Sequence, residues 1–267
     1  MNRILGVDQC GALNSAKQPK PMKAVLFERK KTVWQFEAIE LNGLSRESLL
    51  RLKVEAIVLD SVIGLPQGSW PIRKKSADGV WKLFQKAAEE PAYGKAAGET
   101  FFKSFLKKNM NTPSRVCEKI ANANSIFTTR PFQKNIQTGS FRSWRDLGKE
   151  KKFLNLWPFE TRASFDATRP WIFEGYPSWV WKNLLKTKKR SSENLKKIIS
   201  TKSKIKIEPS LTHQWRLVER DPDSADAFAL GFMLIHMLHE KKLELFPNLP
   251  DFILQCEGWI LGVETRL

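Results

Sequence analysis

Asp8, Asp60, Glu174, Asp223 and Asp226 are the residues of this chain whose type and spacing could do chemistry. The first three stand at or just after the ends of apolar runs: Arg3-Ile4-Leu5-Gly6-Val7-Asp8, Val54 to Leu59 followed by Asp60, and Pro170-Trp171-Ile172-Phe173-Glu174. Asp223 and Asp226 are three residues apart at the start of a long apolar stretch. That spacing puts them on one face of a helix, ~4.5 Å apart along its axis. Carboxylates held together repel, by ~4 kcal/mol for two unit charges ~4 Å apart at an effective dielectric of ~20. Either they take up protons or cations neutralise them. Magnesium accepts carboxylate oxygens and keeps waters that a phosphate can replace. Two such ions ~3.5–4 Å apart can stabilise both the attacking and the leaving oxygen of a phosphodiester. The expected catalytic residues are therefore Asp8, Asp60, Glu174 and Asp226. The expected ligands of Mg²⁺ (or Mn²⁺) are Asp8, Asp60, Asp223 and Asp226, with no His or Cys cluster to compete.

Each acid also has a plainer reading. Asp8 could be a strand-end turn residue, and Asp60 could cap the turn Ser61-Val62-Ile63-Gly64. Glu174 could be a surface strand residue, and Asp223 could merely complement the helix dipole. Asp226, flanked by Ala225, Ala227 and Phe228, belongs at the edge of a core. His213 in a loop and His236 and His239 far along the last helix are not expected to do chemistry.

The elements that must position these acids follow from apolar patterning. Arg3 to Asp8 reads as a buried strand, Lys23 to Arg29 and Thr32 to Ile39 as a hairpin, and Val54 to Leu59 as a fourth strand. Ser45 is placed to cap a short helix reaching Lys53. Residues 73–152 are helical in pattern and read as an insertion or cap within a single domain spanning 1–267. Its Phe101, Phe102 and Phe105 form a stripe that belongs to a core. Phe153 to Phe159 reads as an edge strand, Trp171 to Glu174 as a strand, and Ser178 to Leu185 as a helix. Asp221 as cap and Pro222 at the first helical position open the strongest helix, running to about His239. Glu257 to Gly262 reads as a closing turn or strand. The expected fold class is α/β, a mixed central sheet flanked by helices, with a large mainly helical insertion after the fourth strand.

The 267 residues carry 45 Lys and Arg against 28 Asp and Glu, a net charge of +17. Such an excess favours phosphate-bearing partners, so nucleic acid is the expected partner. The densest basic tract, Lys182 to Lys206, holds ten Lys or Arg and one acid, Glu193. Candidate nucleic-acid contacts are Arg73 and Lys74 beyond the Asp60 loop, Arg142 and Arg145 in Thr138-Gly139-Ser140-Phe141-Arg142-Ser143-Trp144-Arg145, and Lys186, Lys188, Lys189 and Arg190. A solvated basic face remains the plainer reading of the tract. Cys10, Cys117 and Cys256 are widely spaced and make neither a zinc motif nor a disulfide framework. The longest apolar stretch, Ala225 to Leu238, is shorter than the ~20 residues that span a bilayer. No membrane association and a cytoplasmic location are therefore expected. Oligomeric state has no signature in the sequence.

At its acids the chain resembles the ribonuclease-H-like superfamily, whose fold sets an Asp at the end of the first strand, an acid near the end of the fourth and one or two on a late helix. More specifically, it resembles a prokaryotic domain-of-unknown-function family (number 429) that is predicted to comprise nucleases. That resemblance rests on Gly6-Val7-Asp8, Leu59-Asp60 with Ile63-Gly64-Leu65-Pro66, Phe173-Glu174-Gly175-Tyr176-Pro177, Asp223-Ser224-Ala225-Asp226-Ala227 and Glu257-Gly258-Trp259-Ile260. It implies a ribonuclease-H-like sheet and a metal-dependent nuclease (hydrolase) site. Ser-Val-Ile after Asp60 and Gly after Glu174 depart from the family pattern without removing a carboxylate. A non-catalytic nucleic-acid-binding protein of the same fold is the alternative. An ATP-using enzyme of the related actin-like fold is disfavoured, because Asp8-Gln9-Cys10-Gly11-Ala12 lacks that fold's phosphate-loop pattern.

Overall fold

The computed structural model describes residues 1–9, 19–66, 69, 77–92, 94–106, 113–128, 136–150, 152–187, 195, 196, 199, 204–251 and 253–264. The strands are β1 (Arg3–Asp8), β2 (Met22–Lys30), β3 (Val33–Leu41), β4 (Ala56–Leu59), β5 (Asn155–Leu156), β6 (Trp171–Glu174) and β7 (Lys206–Pro209). They form one mixed sheet in the order β5-β6-β4-β1-β2-β3-β7. β1, β2 and β3 make an antiparallel meander, while β4 runs parallel to β1, β6 parallel to β4 and β5, and β7 parallel to β3. The fold is α/β with helices on both faces, as the patterning predicts.

Strands sandwiched between helices bury both of their faces, which is why β1, β4 and β6 read as continuous apolar runs. Alternation sorts them. Ile4, Ala56, Val58, Trp171 and Phe173 enter one core with the last long helix, α8 (Pro222–His239). Leu5, Val7, Ile57, Leu59 and Ile172 enter the other, with α2 (Ala77–Glu89), α3 (Lys95–Lys103) and α5 (Ile136–Gly148). The expected insertion thus shares its core with the sheet. Phe101 and Phe102 are buried there, stacked edge-on against Trp144.

α8 is buried all round from Ser224 to Ile235, which suits a helix lying across the middle of a sheet. Asp221 caps it by accepting from the Asp223 N–H at 3.2 Å, and Pro222 fills its first position. Ser45 caps α1 (Arg46–Leu52) by accepting from the Ser48 N–H at 3.1 Å.

Other boundaries differ from expectation. The edge strand expected over Phe153–Phe159 shrinks to β5, and the helix expected over Ser178–Leu185 is one α-turn, α6 (Pro177–Trp179), continued as a wider π-turn through Leu184. β7 and α7 (Gln214–Arg220), which follows His213, were not expected. Cys117 is a free, buried thiol that burial pushes up to about 12, so it is inert at neutral pH. Cys10 and the side chain of Cys256 lie outside the described residues. No helix among the described residues is long and apolar enough to cross a membrane.

Candidate active site

The acids converge because of register. β1 and β4 pair Val7 with Leu59, and the Asp60 N–H donates to the Val7 carbonyl at 2.9 Å. Asp8 and Asp60 therefore stand side by side, one step beyond the pair, on the face that carries Gly6 and Val58. α8 packs directly on that face. A Cβ on Gly6 would lie 2.0 Å from the Ala227 carbonyl oxygen and 2.7 Å from the Gly231 nitrogen, so only glycine lets helix and strand backbones approach this closely. The helix runs back along β1, which carries its first turn, with Asp223 and Asp226, over the strand's carboxyl end.

The consequence is electrostatic. Asp8 is 8% exposed. Burial pushes its carboxyl up, and the charge of Asp60, a hydrogen bond with Asp60, and then the charges of Asp226 and Asp223 push it further, to about 10. At neutral pH, without a cation, Asp8 therefore holds a proton and donates it to Asp60. Asp226, 6% exposed, accepts a 2.6 Å hydrogen bond at Oδ1 from the buried indole of Trp181.

Glu174 lies on the other side of the sheet. It pairs with Leu59, one position short of Asp60, so its side chain projects toward the opposite face. There the guanidinium of Arg115, 1% exposed, takes both its oxygens: Nη1 donates to Oε2 at 2.7 Å and Nη2 donates to Oε1. The Ile63 N–H donates to Oε2 as well, at 2.9 Å. Arg115 Nε donates to Glu118 Oε1 at 2.8 Å, and its Nη1 also reaches the Glu257 carbonyl at 3.0 Å. Arg115 precedes α4 (Val116–Ala121), and the Val116 N–H donates to the Glu257 carboxylate at 2.9 Å. One buried cation thus ties the insertion, β6 and the C-terminal segment together.

Both groups of acids line one cavity of about 700 Å³. Lys95 and Arg115 are the basic residues of its wall among the described residues, and Arg115 gives four of its five N–H donors to the bonds above. Of the expected nucleic-acid contacts, Arg142 is buried instead. It donates to the carbonyls of Lys20 and of Asn42 (3.0 Å), fastening α5 to the ends of the hairpin. Arg145 donates to the Ala92 carbonyl, with its guanidinium 5.6 Å from the Phe141 ring centre. Lys186 is exposed on the turn after the π-helical segment. Arg73, Lys74, Lys188, Lys189 and Arg190 lie outside the described residues. The Thr138–Arg145 segment positions the site. The Ser140 hydroxyl accepts from the Val62 N–H at 3.1 Å and the Trp144 indole donates to the Val62 carbonyl at 2.6 Å, which holds the turn after Asp60.

Arg115 and Trp181 had no place in the sequence reading. A lone Arg three residues before a Glu hints at a local pair, but nothing in the chain announces a partner 59 positions away. Trp181 is one of ten tryptophans, and its role depends on which ring faces Asp226.

Searches with this chain match no family model, no curated protein and no solved structure. Site geometry and the pattern of residues therefore carry the functional argument.

Proposed function

We propose that this protein is a metal-dependent nuclease that hydrolyses phosphodiester bonds of DNA or RNA on a ribonuclease-H-like sheet. The observation that carries the reading is the Asp8 carboxyl, which lines one cavity with Asp60, Asp223 and Asp226 and is pushed up to about 10, first by burial and then by those three acids. A fold that gathers three carboxylates around a buried fourth bears an electrostatic cost, which bound cations would lower. The positions match what the resemblance implies: the end of β1, the end of β4 and the first turn of a late helix. The net charge of +17 favours a polyanionic substrate.

The donors are all carboxylate oxygens, the type that hard cations such as Mg²⁺ or Mn²⁺ prefer. Among the described residues no three His, Cys, Asp or Glu side chains are already arranged around one metal-sized point. Asp8, Asp60, Asp223 and Asp226 would hold the ions after rotating toward them. Bound there, the ions would lower the pKa of a coordinated water and neutralise the charge building on the phosphate oxygens. The chain's own contribution is placement. The Asp60 turn is held by Ser140, Trp144 and Glu174, Asp226 is held by Trp181, and the proton on Asp8 must leave before its carboxylate can act as a ligand. Glu174, with both oxygens bonded to Arg115, supports the Asp60 turn through Ile63.

The test is incubation with single- and double-stranded DNA and RNA, with Mg²⁺ or Mn²⁺ or with chelator, beside an Asp8→Asn, Asp226→Asn double variant. Metal-dependent cleavage absent from the variant is expected. That no ready-made three-ligand group is present among the described residues favours one alternative, a non-catalytic nucleic-acid-binding protein. Binding with no cleavage under any metal would decide for it.

A further inference from the structure

We infer that Trp181 is a positioning residue for the acid site, setting which oxygen of Asp226 is presented to a cation. The inference deepens the proposed function and rests on it. Trp181 is 2% exposed and lies in the π-helical turn Val180–Leu184, which continues directly from Tyr176 and Pro177 on the cavity wall. Its indole N–H, a donor with no acceptor capacity, bonds Asp226 Oδ1 at 2.6 Å. That bond stabilises the ionised carboxylate and fixes the side chain's rotation. Oδ2 is then set on the opposite side of the carboxyl group, and Asp226 lines the same cavity as Asp8 and Asp60.

The element that holds the indole explains the geometry. An α-turn adds a residue every ~1.5 Å and completes a turn in 3.6 residues. The wider π-turn, a form that recurs at functional sites, re-aims one side chain without ending the helix. Val180 and Trp181 are both buried in the α8 core. The indole is therefore anchored by packing, independently of the bond it makes. A buried tryptophan usually finds a partner for its N–H, often a backbone carbonyl, as Trp259 does with Val263 at 2.8 Å and Trp157 with Glu244 at 2.9 Å. Trp181 instead spends its donor on a carboxylate of the cavity. Hydrogen-bond partners of metal-binding side chains typically change affinity or activity ~10–100-fold when removed.

The experiment is a Mn²⁺ titration of the whole protein, followed by the electron paramagnetic resonance of the free ion, on wild type, Trp181→Phe and Trp259→Phe, with thermal unfolding of each. Trp181→Phe keeps the ring and loses the N–H. The expected result is binding ~10–100-fold weaker in Trp181→Phe, with wild-type affinity in Trp259→Phe even where both variants lose similar thermal stability. Equal affinity in wild type and Trp181→Phe overturns the inference and leaves the metal site standing. No saturable Mn²⁺ uptake by the wild type overturns the metal site and the inference with it. If Trp181→Phe does not fold, the indole N–H resonances of the unmodified protein decide. That of Trp181 must shift on adding Mg²⁺ while that of Trp259 holds still, and an unmoved Trp181 resonance overturns the inference.

Discussion

Glu118 and Glu174 line the same cavity as Asp8, Asp60, Asp223 and Asp226, yet the two groups have opposite local chemistry. On one face of the sheet Glu174, Glu118 and Glu257 close around Arg115, and each finds a guanidinium or a backbone N–H. On the other face Asp8, Asp60, Asp223 and Asp226 confront one another, and Asp8 holds a proton that an ordinary aspartate would have lost. The chain could have placed a buried arginine beside either group. It placed one where the acids are structural and none, among the described residues lining the cavity, where the acids sit on the helix and strand ends. Burying one cation solves a folding problem permanently. The other group sets its carboxylates against one another at the cavity, where an exchangeable cation could bind.

Removing the compensation should have the largest effect. Arg115→Met leaves Glu174 and Glu118 buried without their cation, and loss of one partner of a buried ion pair costs ~3–5 kcal/mol. Urea unfolding should show a loss of that size, and a loss below ~1 kcal/mol would mean that the two groups do not differ as described.

Forcing the aspartate group apart should have the next largest effect. Gly6→Ala puts a methyl group 2.0 Å from the Ala227 oxygen and must lift α8 from β1. Overpacking of this kind costs ~1–3 kcal/mol. Because α8 carries Asp223 and Asp226, Mn²⁺ affinity should fall along with stability.

The third change should reverse the sign. Asp8→Asn replaces a protonated carboxyl with a neutral isostere that can still donate to Asp60, so the metal-free protein at pH 8 should gain stability. The pH dependence fixes the direction. The folded pKa is raised from 3.8 to about 10, so between those values the folded state holds a proton that the unfolded chain has lost. The contribution of Asp8 to stability is complete below pH ~4 and declines as pH rises toward ~10. Stability of the wild type relative to Asp8→Asn, followed by urea unfolding in chelator from pH 5 to 9, should therefore fall steadily. A flat difference would remove the electrostatic argument.

Much of this arrangement was legible in the residues. Apolar runs stopping at Asp8 and Asp60, and a capped helix opening Asp221-Pro222-Asp223, are local signals, and register then brings the acids together. What stayed hidden depends on pairing. Glu174 also ends an apolar strand, but a one-residue difference in register sends its side chain to the opposite face, and no local pattern reveals that parity. Arg142 sits in a hydroxyl- and Arg-rich segment that reads as a phosphate contact, yet its guanidinium is used by the distant carbonyls of Lys20 and Asn42. β7 is four residues long and ends in Pro209, too short to give a periodic signal. Its place beside β3 is set by the rest of the sheet.

The central claim is that the Asp8 group is an open cation site while the Arg115 group is a closed one. Calorimetric titration of Mg²⁺ at pH 7, repeated in two buffers of different ionisation enthalpy, tests it most directly, because the cation must displace the proton on Asp8 to bind. Saturable binding with proton release is expected in the wild type, retained in Glu118→Gln and lost in the Asp8→Asn, Asp226→Asn double variant. Binding that survives the double variant, or Mg²⁺ uptake with no proton released, would contradict it.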